Sequence, residues 1–154
     1  MQIQIDSREK AKAIKKILDE FESRNVMHYV SKLYVGDYMS LDNPRLIIDR
    51  KQNLSELYQN MCHSRKRFVA ELIKAQQAGI KLVILIEHGG KINSLEDVKE
   101  WNNPRLKENP YAWDGVRMHT EIKRYEKLYG TEFQFCSKAE TGRRIFRNRK
   151  KPLI

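Results

Sequence analysis

Short apolar runs alternate with charge-rich stretches along the chain, and their spacing switches between the period of a strand and that of a helix. Residues 2–5, Gln-Ile-Gln-Ile, alternate polar and apolar and predict a short strand. Asp6-Ser7 then supplies a cap for a helix over 9–23, with Ile14, Ile17, Leu18 and Phe21 on its inner face. The segments 26–34, 37–41 and 45–50 are rich in β-branched and aromatic residues, and the turn-forming Asp42-Asn43-Pro44 separates the last two, so a β-meander is expected. Leu54, Leu57, Tyr58, Met61, Phe68, Leu72 and Ile73 recur at core spacing and predict one helix over 54–78, stopped by Gly79. The nearly all-aliphatic run 80–86 suits a central strand covered on both faces, with the preceding helix as its crossover connection. Residues 102–114 read as a long loop, in which Trp113 and Tyr111, with Trp101 just before, either pin the loop to the body or stack on an unpaired base. A helix over 116–129, a strand over 132–136 and a closing helix over 139–146 complete an α/β chain.

A length of 154 residues bounds this to one domain with one core, and 40% apolar residues in distinct runs exclude wholesale disorder. Thirty basic against twenty acidic residues, a formal charge of +10, favour a polyanionic partner, nucleic acid first, although solubility alone also produces basic chains. Cys62 and Cys136 have no Cys-x-x-Cys spacing and share no ligand spacing with the four histidines. This argues against a disulfide framework or zinc site and for buried thiols in a reducing compartment. Residues 1–4 lack a secretory pattern, and no apolar stretch approaches the roughly 20 residues that span a bilayer, so no membrane association is expected.

The chemistry concentrates in the hairpin around Asn43. Counting outward from that turn, Leu41 faces Arg45, Met39 faces Ile47 and Asp37 faces Asp49. Like charges directly opposed across a ladder are destabilising unless a cation lies between them, and Mg²⁺ takes one or two carboxylates completed by water and phosphate oxygens. Strand alternation puts Lys51 on the face of Asp49, where an ammonium orients or deprotonates an attacking water or stabilises a developing phosphorane. The bland alternative is an ordinary charged hairpin with cross-strand ion pairs, or a register slipped by one residue. Elsewhere, His63, Arg65, Lys66 and Arg67 form either a solvated helix face or a phosphate-contacting one. Asp6 alone reads as a helix cap, and Tyr38, alternating away from Asp37, as core.

Four segments, in order, resemble the ERCC4-type nuclease domain of the XPF/Hef family of structure-selective endonucleases. These are Ile5-Asp6-Ser7-Arg8-Glu9, Val35-Gly36-Asp37-Tyr38, Ile47-Ile48-Asp49-Arg50-Lys51 followed by Asn53-Leu54, and Ala139-Glu140-Thr141, with 65–72 similar to the family's basic helix. The resemblance implies a restriction-endonuclease-like mixed β-sheet flanked by α-helices over 1–147, with 148–154 as a basic tail. It implies Mg²⁺ or Mn²⁺ at Asp37, Asp49 and the Arg50 carbonyl, with Asp6 as a further ligand. Arg8, Glu9, Arg50 and Lys51 would complete the catalytic set. The implied substrate is DNA, of branched, flap or fork structure, bound also by Arg65, Lys66, Arg143, Arg144, Arg147 and Lys150. A homodimer or heteromeric partner, a role in repair or recombination, and a prokaryotic cytoplasm or phage-infected host follow from the same likeness. Two positions depart from the family pattern: Asp49 stands where the family has Glu, and Ser55, with Glu56 beside it, where it tends to have an acid. A catalytically silent DNA-binding or scaffolding subunit is the alternative those departures raise.

Overall fold

The computed structural model describes residues 1–148. Among these, β1 (Gln2–Ile5), β2 (Met27–Val30), β3 (Tyr38–Ser40), β4 (Asn43–Lys51), β5 (Lys81–Glu87) and β6 (Glu132–Cys136) form one mixed sheet ordered β2-β1-β3-β4-β5-β6. β3 is antiparallel to both β1 and β4, whereas β1–β2, β4–β5 and β5–β6 are parallel. Five helices flank the sheet: α1 (Lys15–Ser23), α2 (Leu54–Cys62), α3 (Arg65–Gln77), α4 (Gly115–Tyr129) and α5 (Thr141–Asn148). No helix among the described residues is long and apolar enough to cross a membrane.

The sheet has a core on each face because alternate residues of β4 and β5 point to opposite sides. Ile47, Leu82, Ile84 and Ile86 pack with Leu57 and Met61 of α2, Phe68 and Leu72 of α3, and Met118 and Ile122 of α4. Leu46, Ile48, Val83 and Leu85 pack instead with Ile17 and Phe21 of α1 and Ile145 of α5. A strand buried on both faces needs apolar residues at every position, which is why 80–86 reads as an unbroken aliphatic run. Each fully buried Leu or Ile contributes roughly 1.5–3 kcal/mol.

Three expected elements come out differently. The first helix begins at Lys15 rather than Glu9: the Asp6 carboxylate accepts the N–H of Arg8 at 3.1 Å and the Asp6 carbonyl that of Glu9 at 3.1 Å, closing turns instead. The meander does not form as such, because β2 pairs in parallel with β1, leaving only the β3–β4 hairpin. The helix expected over 54–78 divides at His63 and Ser64, where Ser64 takes φ −110 and ψ 29. The loop over 102–114 holds a 3-10 turn at Pro104–Lys107, and Trp101 and Trp113 pack against Tyr58 with centroids 6.3 and 5.5 Å away, so both serve as pins. Tyr111 stays exposed, Cys136 is buried and Cys62 half-buried.

Candidate active site

The carboxyl end of β4 meets two crossing segments, 6–9 after β1 and 35–37 before β3. Gly36 makes the second crossing possible: its φ is +68, and a Cβ there would stand 2.6 Å from Ile47 Cγ2. The backbone then fixes Asp37 on both sides, its N–H donating to the Ile48 carbonyl and its carbonyl accepting from the Asp6 N–H, each at 2.8 Å. Tyr38 pairs with Ile48 and Met39 with Ile47, an offset that, continued, sets Asp37 opposite Asp49. The hairpin tip departs from the expected register, since a shift after Met39 pairs Ser40 with Asn43 instead of Leu41 with Arg45. Asp37 and Asp49 lie on the site side of that shift. Tyr38 is buried in the core.

The Asp37 carboxyl thus faces that of Asp49, and the charge on Asp49 disfavours its ionisation. Burial, then the charges of Asp49 and Glu9, push the Asp37 carboxyl well above the usual range, against one lowering contact from the Arg50 N–H at 2.7 Å. Lys51 Nζ lies 2.9 Å from Asp49 Oδ2 and 5.4 Å from the centroid of the Phe68 ring. Burial pulls the Lys51 ammonium down, but Asp49, Glu56 and Asp37 outweigh it and hold the group above its ordinary value. It is therefore a charged donor at neutral pH.

Arg50 lies on the opposite side of β4 from this pair. Its Nε and Nη2 donate to Glu9 Oε1 and Oε2 at 3.0 and 2.8 Å, and Nη1 to Glu87 Oε1 at 2.6 Å. Burial opposes its charge, yet the hydrogen bonds it donates to Glu9 and Glu87 raise its pKa. The result is a buried clasp joining the 6–9 segment, β4 and β5. Asp6, fully buried, spends Oδ1 on the Leu33 N–H at 2.8 Å and Oδ2 on Arg8, whose Nε is 2.6 Å away. Burial opposes the charged form of Asp6, but the contacts with Arg8 and Leu33 hold its pKa below the ordinary value.

These groups line an open cavity of about 290 Å³ with Arg8, Glu9, Lys10, Asp37, Asp49 and Lys51 on its walls. Asp6 is not on that wall; it holds Arg8 there. Glu56 is, whereas Ser55 lines a neighbouring cavity. The helix start explains this: Asn53 accepts the Glu56 N–H at 2.8 Å, and Glu56 Oε2 in return accepts the Gln52 N–H at 2.7 Å. Position 55 itself carries no acid to the wall, and the acid one residue later stands on it. Sequence reasoning passed over Glu56 as a wall residue and Glu87 altogether; the signal for Glu87 was an aliphatic parallel strand ending in a single acid. Among the described residues no set of three or more His, Cys, Asp and Glu side chains is placed to hold a metal ion. The carboxyls that meet number two, a donor set that hard dications complete with water and phosphate oxygens.

The other expected contact residues stay apart from this wall. Arg65 and Lys66 are exposed at the start of α3, with the Arg65 guanidinium 5.8 Å from the Tyr125 ring. Arg143 and Arg147 are exposed on α5, across the sheet from α3, and Arg144 is anchored to the Phe135 carbonyl at 2.7 Å. Lys150, with Arg149 and Lys151, lies outside the described residues.

A family model described as "ERCC4 domain" matches residues 5–145. Among solved structures, the fold is similar to XPF from Aeropyrum pernix, with TM-score 0.68 and 17% identity over 97% of this chain and 64% of that one. It is also similar to XPF from Aeropyrum pernix in complex with DNA, with TM-score 0.66 and 18% identity over 97% and 63%. The chain thus spans just under two thirds of those chains. None of the curated proteins matches it.

Proposed function

The chain belongs to the ERCC4 domain family, as an XPF/Hef-type core of restriction-endonuclease-like fold, and from that premise we propose that it is a Mg²⁺- or Mn²⁺-dependent DNA endonuclease. The observation that carries the reading is the pair Asp37–Asp49, set opposite each other at the end of the β3–β4 hairpin on a cavity wall beside the ammonium of Lys51. Bringing two carboxyls together on a buried wall disfavours the ionisation of both at once, and a dication between them removes that penalty.

In this reading Asp37 and Asp49 hold the cation, which when bound polarises a phosphodiester oxygen and acidifies a water. The Arg50 N–H fixes the rotamer of Asp37. Lys51, kept protonated, acts as a donor that orients the attacking water and stabilises charge on the phosphorane, rather than as the base. Arg8, anchored through Asp6, is the group on the wall suited to grip a phosphate oxygen. Arg50 and Glu9 are positioning residues, tying the two halves of the wall together. DNA with a branch, flap or fork is the proposed substrate, and a DNA complex of the similar XPF structure supports DNA as the polymer.

The test is cleavage of flap, fork, four-way-junction and linear duplex DNA, with RNA counterparts, in Mg²⁺ or Mn²⁺. We expect a branched DNA to be cut by the unaltered chain, with a loss of at least about 100-fold for Asp37→Asn or Lys51→Ala, the scale of losing one transition-state contact. Undiminished cutting by Asp37→Asn overturns the assignment. Binding without cutting by the unaltered chain in both metals would make it the catalytically silent subunit instead.

A further inference from the structure

A second cleft, of about 260 Å³, shares Arg8 with the catalytic wall and is lined by Arg8, Tyr34, Arg67, Glu71 and Lys74. Arg67 and Lys74 lie seven residues apart on α3, two helical turns, and therefore on one face about 10 Å apart. Arg67 is exposed and makes no ion pair among the described residues. Lys74 is anchored by donating to the Tyr34 carbonyl at 2.9 Å, with its ammonium 3.9 Å from the centre of the Tyr34 ring. That ring is 59% exposed. Glu71 is the one acid on this wall, and it accepts from the Gly36 N–H at 3.4 Å, on the crossing that presents Asp37. Three cations against one acid, grouped beside an exposed aromatic ring, suit a polyanion that also carries flat apolar groups.

Resting on the nuclease reading, we propose that this cleft binds the sugar-phosphate backbone of the DNA strand flanking the scissile phosphate. Arg67 and Lys74 take phosphates about three nucleotides apart, and Arg8, shared by both cavities, takes the one next to the cut. The 10 Å between the α3 cations corresponds to roughly three steps of a stacked strand at about 3.4 Å each. α3 thereby fixes which side of the catalytic wall the held segment occupies. Neither Tyr34, Arg67 nor Lys74 belongs to the hairpin that carries the carboxyl pair, so strand holding and bond breaking rest on separate elements.

The experiment measures binding of a fluorescein-labelled flap DNA by anisotropy across a salt series, and cleavage of the same DNA in Mn²⁺. Arg67→Ala combined with Lys74→Ala should weaken binding about tenfold and make the plot of log affinity against log salt shallower by about 2, one for each lost phosphate contact. Arg67→Lys combined with Lys74→Arg, which keeps both charges, should restore most of the affinity. Lys123→Ala combined with Lys127→Ala, an equal charge change on exposed positions of α4, should leave affinity within about twofold. If the first pair binds like the unaltered chain, or the α4 pair weakens binding equally, the cleft is not the strand site although the nuclease reading stands. If the unaltered chain neither binds nor cuts the DNA, both fall together.

Discussion

At the scale of single residues, the decisive feature is that burial beside Asp49 and Glu9 raises the Asp37 carboxyl well above its ordinary value. The folded chain holds the Asp37 proton more tightly than the unfolded one, because burial and the charges of Asp49 and Glu9 disfavour ionisation. The stability that protonation contributes is therefore complete below the ordinary aspartate value and is lost as pH rises through the raised one. Asp37→Asn keeps an oxygen to accept the Arg50 N–H and presents an amide donor to Asp49, so it abolishes the repulsion without opening the site. In metal-free protein the variant should melt above the unaltered chain at neutral pH. Relief of about 1 kcal/mol corresponds to roughly 2–4 °C for a chain of this size. The gap should close as the pH falls towards the ordinary aspartate value. Thermal melts in chelator at several pH values check this, and a variant melting below its parent at neutral pH would show that the pair is not under electrostatic strain. The pair itself was legible from sequence because the hairpin is local: strand alternation sets the phase between Asp37 and Asp49 across only twelve positions.

At the scale of elements, what positions Asp37 is a crossing of the segment 35–37 over β4 at a distance that tolerates no side chain. Gly36→Ala combines a left-handed backbone with a Cβ 2.6 Å from Ile47 Cγ2 and 3.1 Å from the Ile48 carbonyl. The conformational cost of about 1–2 kcal/mol adds to an overpacking cost of about 1–3 kcal/mol. A drop in melting temperature of roughly 5–15 °C should follow, with cleavage falling further than stability explains, because the crossing carries the carboxyl. A variant that melts and cuts like its parent would mean the crossing is pliable. This arrangement also marks where sequence reasoning ran out. The β2–β1 pairing joins residues 25 apart through a parallel register, and the Arg50 clasp joins Glu9 and Glu87 across 41 and 37 positions. Periodicity reports which face of an element is buried, not which element lies beside it. The meander was accordingly misread and Glu87 missed, while the restriction-endonuclease-like sheet, recognised through several motifs in order, was found.

At the scale of the whole molecule, the wall proposed to be catalytic is built from both sides of one sheet, so its integrity depends on two cores melting together. Arg50 links the 6–9 segment to β5, and alternate residues of β5 enter different cores, Ile84 one and Leu85 the other. Both tryptophans, Trp101 and Trp113, pack in or against the Ile84 core, so indole fluorescence reports directly on that side alone. Leu85→Ala removes a fully buried side chain from the other core and should cost about 2–5 kcal/mol. If the sheet couples the cores into one cooperative unit, the fluorescence transition moves by as much as the far-ultraviolet circular dichroism transition, although no tryptophan touches Leu85's core. The two midpoints should coincide for the variant as for its parent. Were the fluorescence midpoint to stay in place while the dichroism shifted, the α1–α5 layer would be unfolding by itself. The 6–9 segment, with Arg8 and Glu9, would then leave the wall below the temperature at which the Asp37–Asp49 hairpin does. Cleavage followed against temperature separates the cases, since a coupled molecule loses activity on the fluorescence curve and an uncoupled one loses it earlier.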